Sequence, residues 1–216
     1  AEQAFLAVQE EVRVGRSERW LAARLEFEMR ARGAEAASFE PICAADAHAS
    51  MPHAVSGEAE IGSDSAVLFD WGARLEGYCS DLTRMVCAGR IAPQLEACVD
   101  VVLAAQEAVL ERLRPGARCG DADAAGRAVI ARSGFGGQFG HGMGHGVGLA
   151  VHEGPRLGPR ADTVLLPGMV VTVEPGVYVR GEAGVRIEEM ALITDQGHEV
   201  LTALPRRPGE LTGRRT

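Results

Sequence analysis

The sequence has no apolar run that approaches the roughly 20 residues a membrane-spanning helix requires, so we expect no membrane contact. No positively charged stretch followed by apolar residues opens the chain, so nothing argues for secretion. The five cysteines are odd in number and form no Cys-x-x-Cys motif, which favours free thiols in a reducing compartment. We therefore expect a cytoplasmic protein.

No basic cluster suggests a nucleic-acid partner, and the formal net charge is −8. The one basic stretch lies at the C-terminus beside proline and glycine, and we expect residues 205–216 to be a flexible tail. The preceding residues 1–204 suit one well-buried domain and are short for two. The chain begins at Ala1 without a methionine, which suggests a fragment or a processed product.

Apolar periodicity divides the chain into helices and strands. Helices are predicted for residues 1–14, 17–32, 93–113 and 121–134. Strands are predicted for residues 38–43, 66–70, 85–88, 169–174, 184–194 and 199–203. The order of helices, strands, helices and strands indicates an α+β fold in two halves rather than a βαβ alternation.

Five residues with metal-ligand chemistry lie in short, unusual strings. The strings are LFDWGARLEGYCSDLTR, HGMGHGVGLAVHE, VTVEPGVY and GVRIEE, and the residues are Asp70, Asp81, His145, Glu174 and Glu188. Carboxylate oxygens with a single imidazole suit hard-to-borderline divalent cations such as Mn²⁺. Two such cations can hold and activate one water, so the set points to hydrolysis.

The strand pattern suggests how the carboxylates would converge. A hairpin closed by the glycines between Asp70 and Asp81 would present both side chains on one face. Glu174 ends a buried strand, and a buried carboxylate is costly unless a metal or another cation compensates it. Glu188 and Glu189 point to opposite faces of a strand, and alternation alone does not choose between them.

Taken together, the four strings resemble the signature of the pita-bread metallopeptidases, which include methionine aminopeptidases, Xaa-Pro aminopeptidases and Xaa-Pro dipeptidases (prolidases). The resemblance runs from about residue 38 to residue 204, and the strings HGMGHGVGLAVHE and GVRIEE resemble the proline-specific branch. It implies two pseudo-symmetric halves with a curved antiparallel sheet, outer helices and the metals between the halves. Relatives of this branch also imply a homodimer and a separate N-terminal domain, and we expect this chain to lack that domain.

The resemblance implies that the metal ligands are Asp70, Asp81, His145, Glu174 and Glu188. They would bind two divalent cations, with Mn²⁺ favoured and Co²⁺ or Zn²⁺ as alternatives. A hydroxide that bridges the cations would attack a peptide carbonyl, and Glu174 would act as both ligand and general base. For Glu188, the resemblance selects this residue over its neighbour.

Further residues match positions that contact the substrate in the family. His152 matches a histidine that hydrogen-bonds the substrate and stabilises the developing oxyanion. His53 matches a histidine across the cleft that assists proton movement or substrate binding. His141 and Arg186 match positions that line the cleft, and the alternative for Arg186 is only to support nearby carboxylates.

The function implied is release of an N-terminal residue that precedes proline in a small peptide, with a dipeptidase favoured over an aminopeptidase. A dipeptidase must capture a nearby C-terminal carboxylate, for which Arg156, Arg160 and Arg180 are candidate donors. The alternatives are a methionine aminopeptidase, whose histidine loop normally lacks the first histidine of HGMGHG, and a metal-binding but inactive module or fragment. Asp46 and His48 depart from the family's pattern and put the shape of their loop in doubt.

Overall fold

The structure, a computed structural model, describes residues 1–211. Its helices are α1 (Glu2–Val8), α2 (Glu18–Ala31), α3 (Pro93–Leu110) and α4 (Cys119–Arg132), with short 3-10 helices at Gln9–Glu11, Asp46–Ser50, Gly136–Gln138 and Pro208–Glu210. All four predicted helices are present, although the first is shorter because its C-terminal turn tightens into a 3-10 helix. Within residues 1–211, no helix is long and apolar enough to cross a membrane.

Helix α2 illustrates how the sequence determines where a helix begins and which face of it is buried. The Ser17 hydroxyl accepts a hydrogen bond from the backbone N–H of Trp20 at 3.2 Å and so caps the first turn. Leu21, Leu25 and Met29 recur at a spacing of four residues and are all buried. This apolar stripe places α2 against the sheet of the first half.

The strands pair antiparallel throughout residues 1–211 and form several small sheets. They are β1 (Ala36–Ala37), β2 (Ile42–Ala45), β3 (Ala66–Trp71), β4 (Ala73–Leu75), β5 (Tyr78–Cys79), β6 (Leu82–Cys87), β7 (Gly144–Gly146), β8 (Glu153–Leu157), β9 (Val170–Val173), β10 (Gly176–Val179), β11 (Ala183–Arg186), β12 (Glu189–Ile193) and β13 (His198–Val200). The sheets have the orders β1-β4-β5, β2-β3-β6, β13-β12-β9-β7-β8 and β10-β11. The predicted order of helices, strands, helices and strands is confirmed.

The β2-β3-β6 sheet separates two hydrophobic clusters. On β3, Phe69 faces the cluster that contains α1 and α2, whereas Leu68 faces the larger cluster shared with α3, α4 and the second half. Asp70 has the same parity as Leu68 and lies opposite Thr83 of β6. Asp81 precedes Thr83 by two residues, so Asp70 and Asp81 are directed to one side of the sheet, between the two halves.

Several strand predictions differ from the structure. The strand predicted for residues 184–194 is divided into β11 and β12, with Ile187 and Glu188 between them. The strand predicted for residues 38–43 begins only at Ile42. β7, β8 and β10 were not predicted. β7 is rich in glycine, and Pro175 suggested that the strand before it ends there, whereas in the structure β10 begins directly after this proline.

The first residues of the segment expected to be a flexible tail pack against the rest of the chain. Pro205 accepts a hydrogen bond at its carbonyl oxygen from Arg84 Nε at 2.9 Å, and Leu211 is buried in the cluster with α1 and α2. Residues 205–211 therefore lie against the folded chain, because Leu211 has an apolar site to occupy. Residues 212–216, the rest of the predicted tail, are outside the described residues.

Candidate metal centre

An open cavity of about 820 Å³ lies between the two halves, and all nine sequence-predicted site residues line it. These residues are His53, Asp70, Asp81, His141, His145, His152, Glu174, Arg186 and Glu188, of which Arg186 carries an alternative supporting role. Three overlapping groups place ligand atoms within 4.8 Å of one another: Asp70 with Asp81 and Glu188, His145 with Glu174 and Glu188, and Asp81 with His145 and His152. The structure therefore brings together residues that are up to 118 positions apart in the chain, from Asp70 to Glu188.

Asp70 and Asp81 come from the first half. The turn between them, with Glu76 and Gly77 at φ 51° and 82°, closes the β4–β5 hairpin that the sequence led us to expect. Asp70 Oδ2 accepts a hydrogen bond from Arg186 Nη2 at 2.5 Å. Asp81 is 4% exposed, so its carboxylate is removed from bulk water. It has no charged partner as close as Arg186 is to Asp70.

Glu174 and Glu188 come from the second half. Glu188 Oε2 accepts a hydrogen bond from Thr83 Oγ1 at 2.7 Å and faces the cavity. Glu189 points the other way, and its Oε1 accepts a hydrogen bond from Arg84 Nη2 at 2.8 Å. Strand alternation therefore separates the two neighbours as predicted, and the structure places Glu188 on the cavity side.

His145 is oriented by a backbone contact that sequence reasoning did not identify. Its Nδ1 lies 3.0 Å from the carbonyl oxygen of Gly146, so Nδ1 carries the proton and Nε2 presents a lone pair. Nε2 lies 3.3 Å from Glu174 Oε1 and 3.6 Å from Asp81 Oδ2. Burial lowers the pKa of His145 to about 4, so the ring is neutral near pH 7 and suited to bind a cation.

The strand that carries His145 depends on a glycine. A Cβ atom at Gly144 would lie 2.0 Å from the carbonyl oxygen of Thr172, so β7 approaches β9 too closely for any side chain at this position. The hydroxyl of Thr172 in turn accepts a hydrogen bond from the His145 N–H at 3.1 Å. This close approach brings His145 beside Glu174, which follows β9 directly.

The electrostatics of the four carboxylates indicate that a cation belongs among them. Burial raises the pKa of Asp70, Asp81 and Glu188, and for Asp81 and Glu188 the neighbouring carboxylates add to the effect. Burial likewise raises the pKa of Glu174 to about 7. Oδ1 of Asp70 and Oε1 of Glu188 are buried with no hydrogen-bond partner among the described residues. Divalent cations would compensate both the charge and these oxygens, so the residues fit such ions.

Two residues in this network were missed by sequence reasoning. Thr83 donates to Glu188 and accepts a hydrogen bond from Arg186 Nε at 3.1 Å. The Tyr178 hydroxyl accepts a hydrogen bond from Arg186 Nη1 at 3.0 Å and lies 2.8 Å from His141 Nε2. Strand alternation could have found Thr83, which lies two residues after a predicted ligand. Arg186 thus contacts Asp70, Thr83 and Tyr178, which agrees with its alternative role of supporting carboxylates.

The histidines assigned to substrate contact differ in exposure. His53 and His152 are exposed on the cavity wall, and the His152 ring centroid lies 4.3 Å from that of His145. His141 is more enclosed, and burial lowers its pKa to about 4, so it is neutral near pH 7. Among the three candidate arginines, Arg156 lines the cavity, opposite His145 in the β7–β8 pairing.

Two buried carboxylates (Asp81 and Glu188), two half-buried ones (Asp70 and Glu174) and one neutral imidazole on an open cavity define a candidate metal-dependent hydrolase. A family model described as metallopeptidase family M24 matches residues 1–195, and the chain belongs to this family. The name of the family implies a metal, which agrees with the cluster of ligand atoms.

Named relatives and a solved structure agree with this assignment. The chain is 43% identical over 206 residues to the uncharacterized peptidase YqhT of Bacillus subtilis, covering 95% of this chain and 58% of the relative. It is 39% identical over 206 residues to the Xaa-Pro dipeptidase of Pyrococcus horikoshii, covering 95% of this chain and 59% of the relative. The crystal structure of X-Pro aminopeptidase from Thermotoga maritima matches with a TM-score of 0.93 and 39% identity, covering 95% of this chain and 58% of that chain. The expected pita-bread fold is confirmed, and the chain spans somewhat under two thirds of these proteins.

We predict opposite effects of Asp81→Asn with and without metal. In chelator, near neutral pH, the substitution should raise the free energy of unfolding. The folded state raises the pKa of Asp81, so the ionised carboxylate opposes folding above its unfolded pKa, and asparagine removes that charge. Each kcal/mol gained would raise the Tm by about 2–4 °C for a chain of this size. With Mn²⁺ present, the variant should gain less stability than the wild type, because one ligand is weakened.

Thermal unfolding with chelator and with a Mn²⁺ series would measure both effects. Asp195→Asn is the matched control, since Asp195 is exposed in a turn and should leave both values unchanged. A variant that is less stable in chelator and keeps the full Mn²⁺ shift would contradict the assignment of Asp81 to the metal centre.

Proposed function

We propose that this chain is the catalytic part of a metal-dependent exopeptidase that hydrolyses the bond between an N-terminal residue and proline, with a dipeptide as the favoured substrate. The observation that carries the proposal is the convergence of four carboxylates and one neutral imidazole on a single cavity. The names of the similar proteins, which include an Xaa-Pro dipeptidase and an X-Pro aminopeptidase, support the same reaction.

In this proposal the ligands are Asp70, Asp81, His145, Glu174 and Glu188, and the ions are two divalent cations. Mn²⁺ is the favoured ion because four oxygen ligands and one imidazole give a site of hard to borderline character, with Co²⁺ or Zn²⁺ as alternatives. When bound, such ions lower the pKa of a water molecule and polarise a carbonyl group. Arg186 orients the Asp70 carboxylate through a 2.5 Å hydrogen bond, and this contact needs no bound ion.

Glu174 is proposed as the residue that moves the proton. Its Oε1 accepts a 3.4 Å hydrogen bond from the Thr172 hydroxyl and lies on the cavity, where a carboxylate can take a proton from the attacking water and pass it to the leaving nitrogen. His152 is proposed to donate a hydrogen bond to the substrate carbonyl as negative charge develops on its oxygen. His53 lies on the same cavity and is proposed to bind the substrate from another side.

The rest of the cavity suits a short peptide that contains proline. Phe39, Ile42, Leu157 and Pro159 give the wall an apolar part that can contact a pyrrolidine ring. The tertiary amide and fixed φ of proline exclude an Xaa-Pro bond from most peptidase clefts, so a dedicated site is physically reasonable.

Arg156 is the feature that favours the dipeptide. It is exposed and lines the cavity, and within residues 1–211 its side chain forms no hydrogen bond or ion pair with another residue. A guanidinium in this state can receive the C-terminal carboxylate of a dipeptide through two hydrogen bonds. Arg160 and Arg180, the other candidates, do not line this cavity in the described part of the chain.

The proposal is tested by Mn²⁺-dependent cleavage of Ala-Pro, Ala-Pro-Ala and Met-Ala-Ser, with metal content determined on the same sample. We expect cleavage of Ala-Pro and two metal ions per chain. Cleavage of Ala-Pro-Ala alone would replace the dipeptidase by an Xaa-Pro aminopeptidase, and cleavage of Met-Ala-Ser would indicate a methionine aminopeptidase. Two bound ions without any cleavage would contradict the proposed activity and would support the alternative of a metal-binding but inactive module or fragment.

His152→Ala should lower kcat for Ala-Pro by about 100- to 1,000-fold, the usual effect of removing one donor to a developing oxyanion. The metal content should stay unchanged, because the proposed ligands remain. His198→Ala is the control, since His198 contacts the Leu113 carbonyl outside this cavity. If the His152 variant loses metal instead, the histidine is a ligand, as its place beside Asp81 and His145 would allow, and its assigned role is wrong.

Arg156→Ala should raise KM for Ala-Pro by about 10- to 100-fold, which corresponds to the roughly 1.5–3 kcal/mol of a hydrogen bond to a charged group. Cleavage of Ala-Pro amide, which lacks the carboxylate, should be nearly unaffected. Arg156→Lys should recover part of the loss, and Arg160→Ala serves as an exposed control outside the cavity. Equal losses on both substrates would rule out capture of the carboxylate by Arg156.

A further inference from the structure

Glu174 and Glu188 face each other at an interruption between two strand ladders. The β9–β12 pairing ends at Val173 opposite Glu189, and the β10–β11 pairing begins at Gly176 opposite Arg186. Counting inward from either end places Glu174 opposite Glu188 and Pro175 opposite Ile187. Residues opposite each other in an antiparallel pair share a face, so both glutamates are directed to the cavity.

The interruption has a chemical cause in the sequence. Pro175 has no N–H, so it cannot donate to the opposite strand at the position of Ile187. Ile187 is fully buried, as is Val173 before Glu174, and a buried carbonyl needs a donor. The ladder therefore needs a hydrogen-bond donor from elsewhere at the point where the two glutamates lie.

Gln106 of α3 supplies that donor. Its side-chain Nε2 donates to the carbonyl oxygen of Ile187 at 2.8 Å and to that of Val173 at 3.1 Å. Gln106 is fully buried on a helix face whose neighbours are apolar, where an amide is costly unless it is hydrogen-bonded. Each carbonyl belongs to the residue directly before one of the two glutamates.

We infer that Gln106 is a positioning residue that sets the spacing between Glu174 and Glu188. One amide nitrogen bonds both strands, so the two backbones cannot move apart without losing a hydrogen bond. The side-chain hydrogen bonds of Gln106 within residues 1–211 go to the Val173 and Ile187 carbonyls and to Arg206, not to a proposed ligand, so it acts through the backbone rather than as a catalytic residue. The inference rests on the proposed function, because it assumes that both glutamates bind metal.

Two other backbone contacts show why this spacing extends to the whole site. The Glu174 N–H donates to the Met143 carbonyl at 2.9 Å, two residues before His145. The Glu188 N–H donates to the Thr83 carbonyl at 3.1 Å, two residues after Asp81. Gln106 therefore links two segments of the chain. The segment with Glu174 is hydrogen-bonded to the strand that carries His145, and the segment with Glu188 is hydrogen-bonded to the first half.

The inference is tested by the Mn²⁺ affinity of Gln106→Met, which keeps an unbranched side chain of similar length and removes both donors. We expect the dissociation constant for Mn²⁺ to rise by about 10- to 100-fold, as is typical when a residue that orients metal ligands is lost. Gln106→Asn keeps the amide but is shorter by one methylene, so it should bond at most one carbonyl and show a smaller rise. Affinity is measured by calorimetry on folded protein, well below the Tm of each variant.

Two controls separate positioning from general stability. Arg206→Ala removes the 3.3 Å contact to Gln106 Oε1 and keeps both donor bonds, so the Mn²⁺ affinity should stay within about twofold of wild type. Val8→Ala makes a cavity in the other hydrophobic cluster and should lower the Tm without changing the affinity.

The outcomes distinguish this inference from the proposed function. If the wild type binds no Mn²⁺, the proposed ligand set is wrong. If the wild type binds two ions and folded Gln106→Met binds them equally well, Gln106 only stabilises the fold. If Gln106→Met does not fold, the same comparison is made with Gln106→Asn, and an unchanged affinity in that variant overturns the inference.

Discussion

The structure depends on holding four like-charged carboxylates together at one cavity between the two halves. Burial raises the pKa of Asp70, Asp81, Glu174 and Glu188, and repulsion by neighbouring carboxylates adds to the effect for Asp81, Glu174 and Glu188. Arg186 offsets part of this charge, but buried oxygens without partners remain among the described residues. Bound divalent cations would relieve this repulsion and give the unpartnered oxygens a partner, so the same unfavourable electrostatics favour metal binding.

The scaffold meets this constraint by dividing the ligands between two halves. The first half presents Asp70 and Asp81 from an antiparallel sheet whose other face is covered by α1 and α2. The second half supplies the glutamates from an interrupted pair of strands, and a glycine at position 144 allows the histidine strand to approach them. Thr83 and Arg186 join the halves through hydrogen bonds, and each proposed ligand lies within a strand or next to one.

Much of this site follows from the sequence because its information is local. Asp70, Asp81, Glu174 and Glu188 lie in short strings beside or within apolar strands, and the resemblance of those strings to the family's signature selected them as ligands. Strand alternation alone does not choose between Glu188 and Glu189. The interruption at Pro175 and Ile187 was not predicted, because it depends on which strands pair and in what register. The contacts of Gln106 were not predictable either, since a glutamine in a helix carries no sign of the distant carbonyls that it bonds. The place of Leu211 was missed for the same reason, because the apolar site it fills is formed by residues far away in the chain.

The most direct test of the account is a crystal structure grown with Mn²⁺, with the ions located by their anomalous scattering. The account predicts two peaks, both within bonding distance of the carboxylates, and one of them also bonded to His145 Nε2. Peaks elsewhere, or none among these five residues at a Mn²⁺ concentration that saturates the protein, would contradict it.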